Sequence, residues 1–138
     1  MHWSADFVGL PWKEKGRDRT GIDCWGLCTL VYGERLGIVL PHYTEAYVSA
    51  QERAEIDALF GANACRQPWG QVPAGEEREF HIALMRCAGL LAHVGLVIGG
   101  GRMLHVERGG ASQIESYASG RWRHRLVGFY AHEARHAD

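Results

Sequence analysis

Residues 21–36 read GIDCWGLCTLVYGERL, and this stretch decides the fold. Its apolar side chains recur at the i, i+3, i+4, i+7 spacing of one helix face, at Cys24, Leu27, Cys28 and Val31. The spacing predicts a helix over residues 24–36, with Thr20 or Asp23 as the residue that caps its start and Gly37 at its end. We therefore expect a helix whose first residue is a cysteine.

The rest of the first half predicts two further helices and two irregular connections. Residues 4–10 are expected to form a short helix that ends at Pro11, because proline cannot continue a helix. Residues 45–60 predict a longer helix. Residues 13–21 are polar and contain glycine, and residues 61–77 hold two prolines and three glycines, so both are expected to be loops.

The second half predicts short strands separated by glycines and polar residues. The segments rich in Val, Ile, Leu and aromatic residues are Phe80–Cys87, Ala92–Ile98, Met103–Arg108, Gln113–Tyr117 and Leu126–Tyr130. Helices followed by strands with short connections indicate an α+β fold with an antiparallel sheet. The length of 138 residues fits one domain over residues 1–138, with a polar tail from Ala131 that is expected to fray.

Cys24 is the candidate nucleophile. A cysteine reacts as its thiolate, and the unpaired N–H groups and dipole at a helix start favour an anion there. The backbone N–H of Cys24 would also help to hold an oxyanion. The alternative is that Cys24, like Cys28, is a small buried residue of the apolar helix face.

Two histidines of neighbouring predicted strands are candidates for the base and the residue that orients it. Gly99-Gly100-Gly101 predicts a hairpin turn between His93 and His105. With a three-residue loop, Gly95 opposes His105, and the two histidines become diagonal neighbours on one face of the sheet. With a two-residue loop, or an uncompensated bulge, they fall on opposite faces. The alternative for each histidine is a polar residue on the solvated face.

Composition excludes several classes of function. The formal net charge is -1, so a basic surface for nucleic acid is not expected. No apolar run approaches the roughly 20 residues that cross a bilayer, and residues 1–12 lack the pattern of a signal peptide. We therefore expect synthesis in the cytoplasm, and we expect no membrane insertion.

No cofactor and no metal is expected. The segment His132-Glu133-Ala134-Arg135-His136 matches the HExxH pattern of zinc peptidases, but no third ligand follows it. The run of three glycines lacks the pattern of a phosphate-binding loop and joins two predicted strands rather than opening a helix.

Three motifs in this order resemble those of the NlpC/P60 cysteine peptidases. Residues 21–27, GIDCWGL, resemble the nucleophile motif, and residues 93–99, HVGLVIG, resemble the motif of the base. Leu104-His105-Val106 matches the position of the third, polar residue. Residues 7–12 and 36–41, together with the tryptophan after the nucleophile, resemble the branch found in phage tails and gene transfer agents. The resemblance runs from about Asp6 to Tyr130.

The resemblance implies a papain-like α+β fold, in which the helix of the nucleophile packs on a five- to six-stranded antiparallel sheet. It implies a triad of Cys24, His93 and His105 that hydrolyses an amide bond in peptidoglycan stem peptides. Asp23 and Trp25 are candidates for substrate contact. Phage-like tail-tip or baseplate proteins are the implied partners, and the periplasm or cell wall is the implied place of action.

One segment departs from the family pattern, and two other functions stay open. Residues 78–84 read REFHIAL where the family often has a Gly-Asp turn before a strand. The first alternative function is a structural tail-tip or adaptor protein with weak or no catalysis. The second is a related thiol amidase or acyltransferase, because the same triad supports either acceptor.

Overall fold

The computed structural model describes residues 2–40, 69–87 and 90–133 of the chain. The helix predicted over residues 45–60 lies outside the described residues. Within the described part, no helix is long and apolar enough to cross a membrane.

The helix that begins at Cys24 has the predicted extent. An α-helix, α1 (Cys24–Val31), continues as one π-helical turn over Tyr32–Leu36. Asp23 is the capping residue, and its carboxylate accepts the Gly26 N–H at 2.7 Å. Gly37 ends the run with φ of 67°, a left-handed conformation that favours glycine.

The N-terminal segment differs from the prediction at residues 4–10. A 3-10 helix spans only Trp3–Phe7. The chain then leaves the helix because Gly9 N–H donates to the Ser112 carbonyl at 2.8 Å, and Leu10 N–H donates to the Ser112 hydroxyl at 2.9 Å. This long-range pairing sets the end of the helix.

The segment predicted as a loop over residues 13–21 contains a small antiparallel ladder. Strand β1 (Arg17–Asp18) pairs with β2 (Gly21–Ile22), which leads directly into α1. Two residues on each side are too short to give a periodic sequence signal, which is why the prediction was wrong here.

Six strands form one antiparallel sheet. They are β3 (Trp69–Val72), β4 (Ile82–Cys87), β5 (Leu90–Gly99), β6 (Arg102–His105), β7 (Gln113–Ser116) and β8 (Leu126–His132). Their order is β3-β8-β4-β5-β6-β7. Helix α1 packs on β5. The predicted α+β fold, with the helix on an antiparallel sheet, is confirmed.

Alternation along the strands places two apolar clusters on opposite faces of the sheet. The cluster on the α1 side includes Cys24, Leu27, Val31, Val94, Leu96 and Leu104. The other cluster consists of Ala83, Met85, Val97, Met103, Tyr117, Trp122 and Phe129.

The hairpin between β5 and β6 resolves the alternatives for the two histidines. Gly99 pairs with Arg102, so the turn has two residues, Gly100 and Gly101, both with positive φ. A bulge at Ile98 then compensates for the short turn. Leu96 opposes Leu104 and Val97 opposes Met103, which is the register that a three-residue loop would give. His93 and His105 therefore share a face.

Strand β3 was missed because residues 61–77 were expected to be irregular. Its backbone pairs with β8, with Gly70 opposite Ala131, and the Trp69 side chain is buried. The same pairing keeps the chain ordered through His132, so the fraying expected from Ala131 begins no earlier than the end of β8. Residues 61–68 lie outside the described residues.

Candidate active site

The start of α1 is tied to the preceding loop by one buried carboxylate. Asp23 is fully buried, and its Oδ1 accepts from Arg17 Nη1 at 2.7 Å as well as from Gly26 N–H. Its Oδ2 accepts the Lys15 N–H at 3.1 Å. The carboxylate thus fixes the position of Cys24, the first residue of the helix.

Close backbone contact fixes the same region. A Cβ at Gly26 would lie 1.9 Å from the Gly16 carbonyl oxygen, and a Cβ at Gly16 would lie 2.2 Å from the Gly21 oxygen. Real Cβ atoms do not approach this closely, so glycine is required at both positions. The loop over residues 15–22 consequently lies directly against the first turn of α1.

Three side chains form a hydrogen-bonded chain across β5, β6 and β7. His93 Nε2 lies 2.9 Å from His105 Nδ1, and His105 Nε2 lies 2.7 Å from Glu115 Oε1. His93 and His105 are buried, whereas Glu115 is partly exposed. Gly95 makes room for this arrangement, because a Cβ there would lie 3.3 Å from the Cβ of His105.

Trp122 covers the two histidines. Its ring stacks on His93 with centroids 5.0 Å apart and planes at 16°, and it meets His105 edge-on at 5.2 Å. Its indole N–H donates to Glu115 Oε1 at 3.2 Å. Burial under this ring excludes water from the His93–His105 hydrogen bond, which strengthens it.

Arg121 supplies the positive charge beside Glu115. Its Nη2 donates to Glu115 Oε1 at 2.7 Å and its Nε to Oε2 at 3.3 Å. The same guanidinium pairs with Glu107. Ligand-type atoms of His105, Glu107 and Glu115 lie within 4.8 Å of one another, but Arg121 already neutralises the two carboxylates. The geometry serves an ion pair rather than a cation site.

The electrostatics keep the histidines neutral and the glutamate charged. Burial, together with the nearby charges of His105 and Arg121, lowers the pKa of His93 to about 3. Burial also lowers the pKa of His105, against the opposing effect of Glu115. The hydrogen bond from Arg121 is the main cause that lowers the pKa of Glu115 to about 2. At neutral pH the chain is therefore imidazole, imidazole and carboxylate.

Stability is expected to fall as the pH is lowered below 6.5. In the unfolded chain His93 takes up a proton near its ordinary pKa of 6.5, whereas the folded protein keeps it neutral down to about pH 3. The unfolded state thus binds more protons in this window. The free energy of unfolding should fall by up to about 1.4 kcal/mol per pH unit from this group. Urea unfolding between pH 7 and 5 measures the slope.

The variant His93→Ala tests whether His93 causes this dependence of stability on pH. Above pH 4.5, the ordinary pKa of a glutamate, the carboxylates add little to the slope, so histidines dominate it. The variant should lose the part of the slope that His93 contributes. Equal slopes for wild type and variant would show that His93 is not buried as a neutral imidazole.

The structure brings the two predicted histidines together, and it gives the other predicted site residues buried positions. Cys24 lies in the cluster on the α1 side of the sheet, whereas His93 lies under Trp122, a residue of the other cluster, and the pairing of Cys24 with His93 stays a prediction. Trp25 is buried and packs edge-on against Trp69, with centroids 6.2 Å apart. Asp23 caps the helix as described. Substrate contact by Asp23 and Trp25 stays a prediction.

Sequence reasoning missed Glu115, Arg121 and Trp122. Glu115 pairs with Met103, so it lies diagonally beside His105 on the same face. The register of β6 and β7 is the signal that could have found Glu115, because β7 follows β6 after a short connection. Arg121 and Trp122 lie in a 3-10 turn over Gly120–Trp122, and no periodic pattern predicts where such a turn packs.

His132 begins the HExxH segment and lies in β8 rather than on a helix. Its ring packs against Trp69, with centroids 5.1 Å apart. A zinc motif needs both histidines on one helical face, so this placement contradicts the zinc interpretation at its first ligand.

Solved structures resemble this chain throughout its length. An NlpC/P60 family protein from Bacillus cereus ATCC 10987 has a TM-score of 0.68 at 19% identity and covers 94% of this chain. This chain spans 37% of that protein. The NlpC/p60 domain of the peptidoglycan hydrolase SagA has a TM-score of 0.60 at 18% identity, with 93% of this chain and 91% of that chain covered.

A third structure and the family comparison agree with these. The peptidoglycan hydrolase RipB from Mycobacterium tuberculosis has a TM-score of 0.58 at 19% identity, covering 94% of this chain and 60% of that chain. At these identities the likeness establishes the fold. Among curated protein sequences, no significant match is found. The model of the NlpC/P60 family matches residues 9–131, most of the 138 residues. The chain therefore belongs to the NlpC/P60 family.

Proposed function

We propose that this protein is a cysteine peptidase that hydrolyses an amide bond in the stem peptides of peptidoglycan. The observation that carries the proposal is the hydrogen-bonded chain from His93 through His105 to Glu115, which begins on β5, the strand that the helix of Cys24 contacts. A nucleophile at a helix start, a base on a rigid strand and a third group that orients the base are the parts that acyl transfer needs.

The proposed reaction has two steps. His93 takes the proton of the Cys24 thiol as sulfur attacks the amide carbonyl carbon, and it gives this proton to the amine as the C–N bond breaks. Water then attacks the thioester with His93 as base. The products are a free carboxylate end, a free amine end and the restored thiol. His93 Nε2 is engaged by His105, so Nδ1 is the atom that exchanges the proton.

The neutral state of His93 fits this role. Because its pKa is lowered to about 3, His93 is unprotonated at neutral pH, which is the form that a proton acceptor requires. Cys28, the other cysteine of α1, is not a candidate nucleophile. Burial raises the pKa of its thiol well above the ordinary value, so it stays protonated and inert.

The substrate class is proposed from the relatives. Two of the similar structures are named peptidoglycan hydrolases, SagA and RipB. Peptidoglycan stem peptides provide the amide bonds on which such a thiol would act. The link to a phage-like tail rests on the sequence of residues 7–12 and 36–41. We propose tail-tip or baseplate proteins as partners, and the periplasm or cell wall of the infected cell as the place of action.

The test is a digest of purified Gram-negative peptidoglycan with wild type, Cys24→Ala and Cys28→Ala. Wild type is expected to release new amine ends and stem-peptide fragments, whose masses name the bond. Cys24→Ala should release none, because it lacks the nucleophile. Cys28→Ala is the matched control, since it removes the other described cysteine of the same helix, and it should retain the activity.

Two results would contradict the proposal. Fragments released equally by wild type and Cys24→Ala would assign the hydrolysis to another group. No fragments from any of the three folded proteins would favour the structural tail-tip or adaptor function.

A further inference from the structure

We propose that Glu115 is a positioning residue, which fixes the proton positions on both histidines so that His93 presents an unprotonated Nδ1 to the nucleophile. The inference rests on the proposed function for its catalytic consequence. Its structural basis is the chain of two hydrogen bonds that ends on the Glu115 carboxylate.

The Glu115 carboxylate determines where the proton of His105 lies. An ionised glutamate only accepts hydrogen bonds, so His105 Nε2, 2.7 Å from Glu115 Oε1, must carry a proton. A neutral imidazole has one N–H, so His105 Nδ1 is then an acceptor. His93 Nε2, 2.9 Å from that atom, must in turn donate. The remaining nitrogen, His93 Nδ1, is left with a free electron pair.

Without the carboxylate, the two histidines have a second arrangement. His105 Nδ1–H can donate to His93 Nε2, which moves the proton of His93 to Nδ1. A protonated Nδ1 cannot accept the proton of a thiol. The two arrangements use the same 2.9 Å hydrogen bond, so the carboxylate that accepts from His105 Nε2 selects between them.

The surroundings keep Glu115 ionised. Arg121 donates to both of its oxygens, and the indole N–H of Trp122 donates to Oε1. Among the described residues, Glu107 also faces this site, where the same Arg121 pairs with it, and Arg125 lies over the Trp122 ring. His105 faces the carboxylate as a neutral imidazole. These contacts hold the anion in place although its side chain is partly exposed.

The experiment compares wild type with Glu115→Gln and reads the ring protons directly. Nitrogen-15 NMR of the histidine side chains, recorded without substrate at pH 7, distinguishes the two forms of each ring. Wild type should carry its His93 proton on Nε2. Glu115→Gln should show a substantial share of His93 with the proton on Nδ1, because a neutral amide can donate as well as accept.

The kinetic arm uses the stem-peptide digest. Glu115→Gln should lower kcat by roughly 10- to 100-fold with KM little changed, because the substrate binds but the wrong nitrogen faces the thiol. The matched control is Glu34→Gln. Glu34 makes the same forked pair with Arg19, at 2.8 and 3.2 Å, but on the surface away from the histidines. It should change neither readout.

A second variant decides the matter where Glu115→Gln does not fold. Arg121→Gln removes an exposed side chain that holds the pKa of Glu115 low. Glu115 should then take up its proton at higher pH, so the His93 proton should move from Nε2 to Nδ1 at a higher pH than in wild type, as read by nitrogen-15 NMR. In Glu34→Gln this change should occur at the same pH as in wild type.

The outcomes separate this inference from the proposed function. Unchanged histidine protons and unchanged kcat in Glu115→Gln, or a His93 proton that moves at the same pH in Arg121→Gln as in wild type, would overturn the positioning role. A wild type that hydrolyses no stem peptide, with a proton shift in Glu115→Gln, would overturn the proposed function and leave the role of Glu115 in place.

Discussion

His93→Ala is expected to lower kcat/KM for stem-peptide hydrolysis by roughly 1,000-fold or more while the protein stays folded. The variant removes the group that takes the thiol proton in the first step and activates water in the second. It also leaves His105 Nδ1 without the partner that lies at 2.9 Å in the wild type. Hydrolysis rates and thermal unfolding, measured on the same preparations, test this expectation.

The control for this variant is His124→Ala. His124 is an exposed histidine in the segment before β8, so its removal changes composition in the same way without touching the buried chain. It should retain wild-type rates. A folded His93→Ala that keeps more than about a tenth of the wild-type rate would assign the base to another residue, since general-base catalysis contributes at least ~100-fold.

Gly26→Ala is expected to lower the free energy of unfolding by about 3 kcal/mol or more. The new methyl would lie 1.9 Å from the Gly16 carbonyl oxygen and 3.1 Å from the Asp23 carboxylate. The first of these is a backbone atom, so the loop over residues 15–22 must move away from α1. Activity should fall as well, because the same loop and carboxylate fix the start of the helix.

Gly33→Ala provides the matched control for this substitution. Gly33 lies in the π-helical turn after α1, is exposed, and has open space where a Cβ would be. Alanine favours helix over glycine by roughly 0.5–1 kcal/mol, so this variant should be neutral or slightly stabilising. Urea unfolding at pH 7 compares the two. Equal stability of the two variants would contradict the close backbone contact at Gly26.

Local patterns were enough to predict the parts of the fold that depend on neighbours in sequence. Helix α1 was predicted from apolar spacing and from Asp23 as one of two possible caps. The β5–β6 hairpin was predicted from three consecutive glycines between alternating apolar segments. In both cases the interactions that form the element lie within a few residues.

Long-range pairing explains what the sequence did not predict. Strand β3 exists because its backbone pairs with β8, about 60 residues later, and its own residues carry glycine and a following proline that indicate a loop. The length of the 3-10 helix at the N-terminus depends in the same way on Ser112.

Of the hydrogen-bonded chain, the sequence predicted only the two histidines. His93 and His105 share a face only because the bulge at Ile98 offsets a two-residue turn, and the sequence left that choice open. Glu115 requires the register of a third strand, and Arg121 requires the packing of a short turn. Each further residue of the site therefore depends on one more tertiary contact.

The most direct test of the central claim is to trap the acyl-enzyme. A soluble stem peptide is mixed with the protein, and the reaction is quenched with acid during turnover. The protein is then digested, and the masses of its peptides are measured by mass spectrometry. We expect the peptide that contains Cys24 to carry the added mass of the acyl fragment, in wild type and in Cys28→Ala. Hydrolysis that proceeds without this adduct and continues undiminished in Cys24→Ala would contradict it.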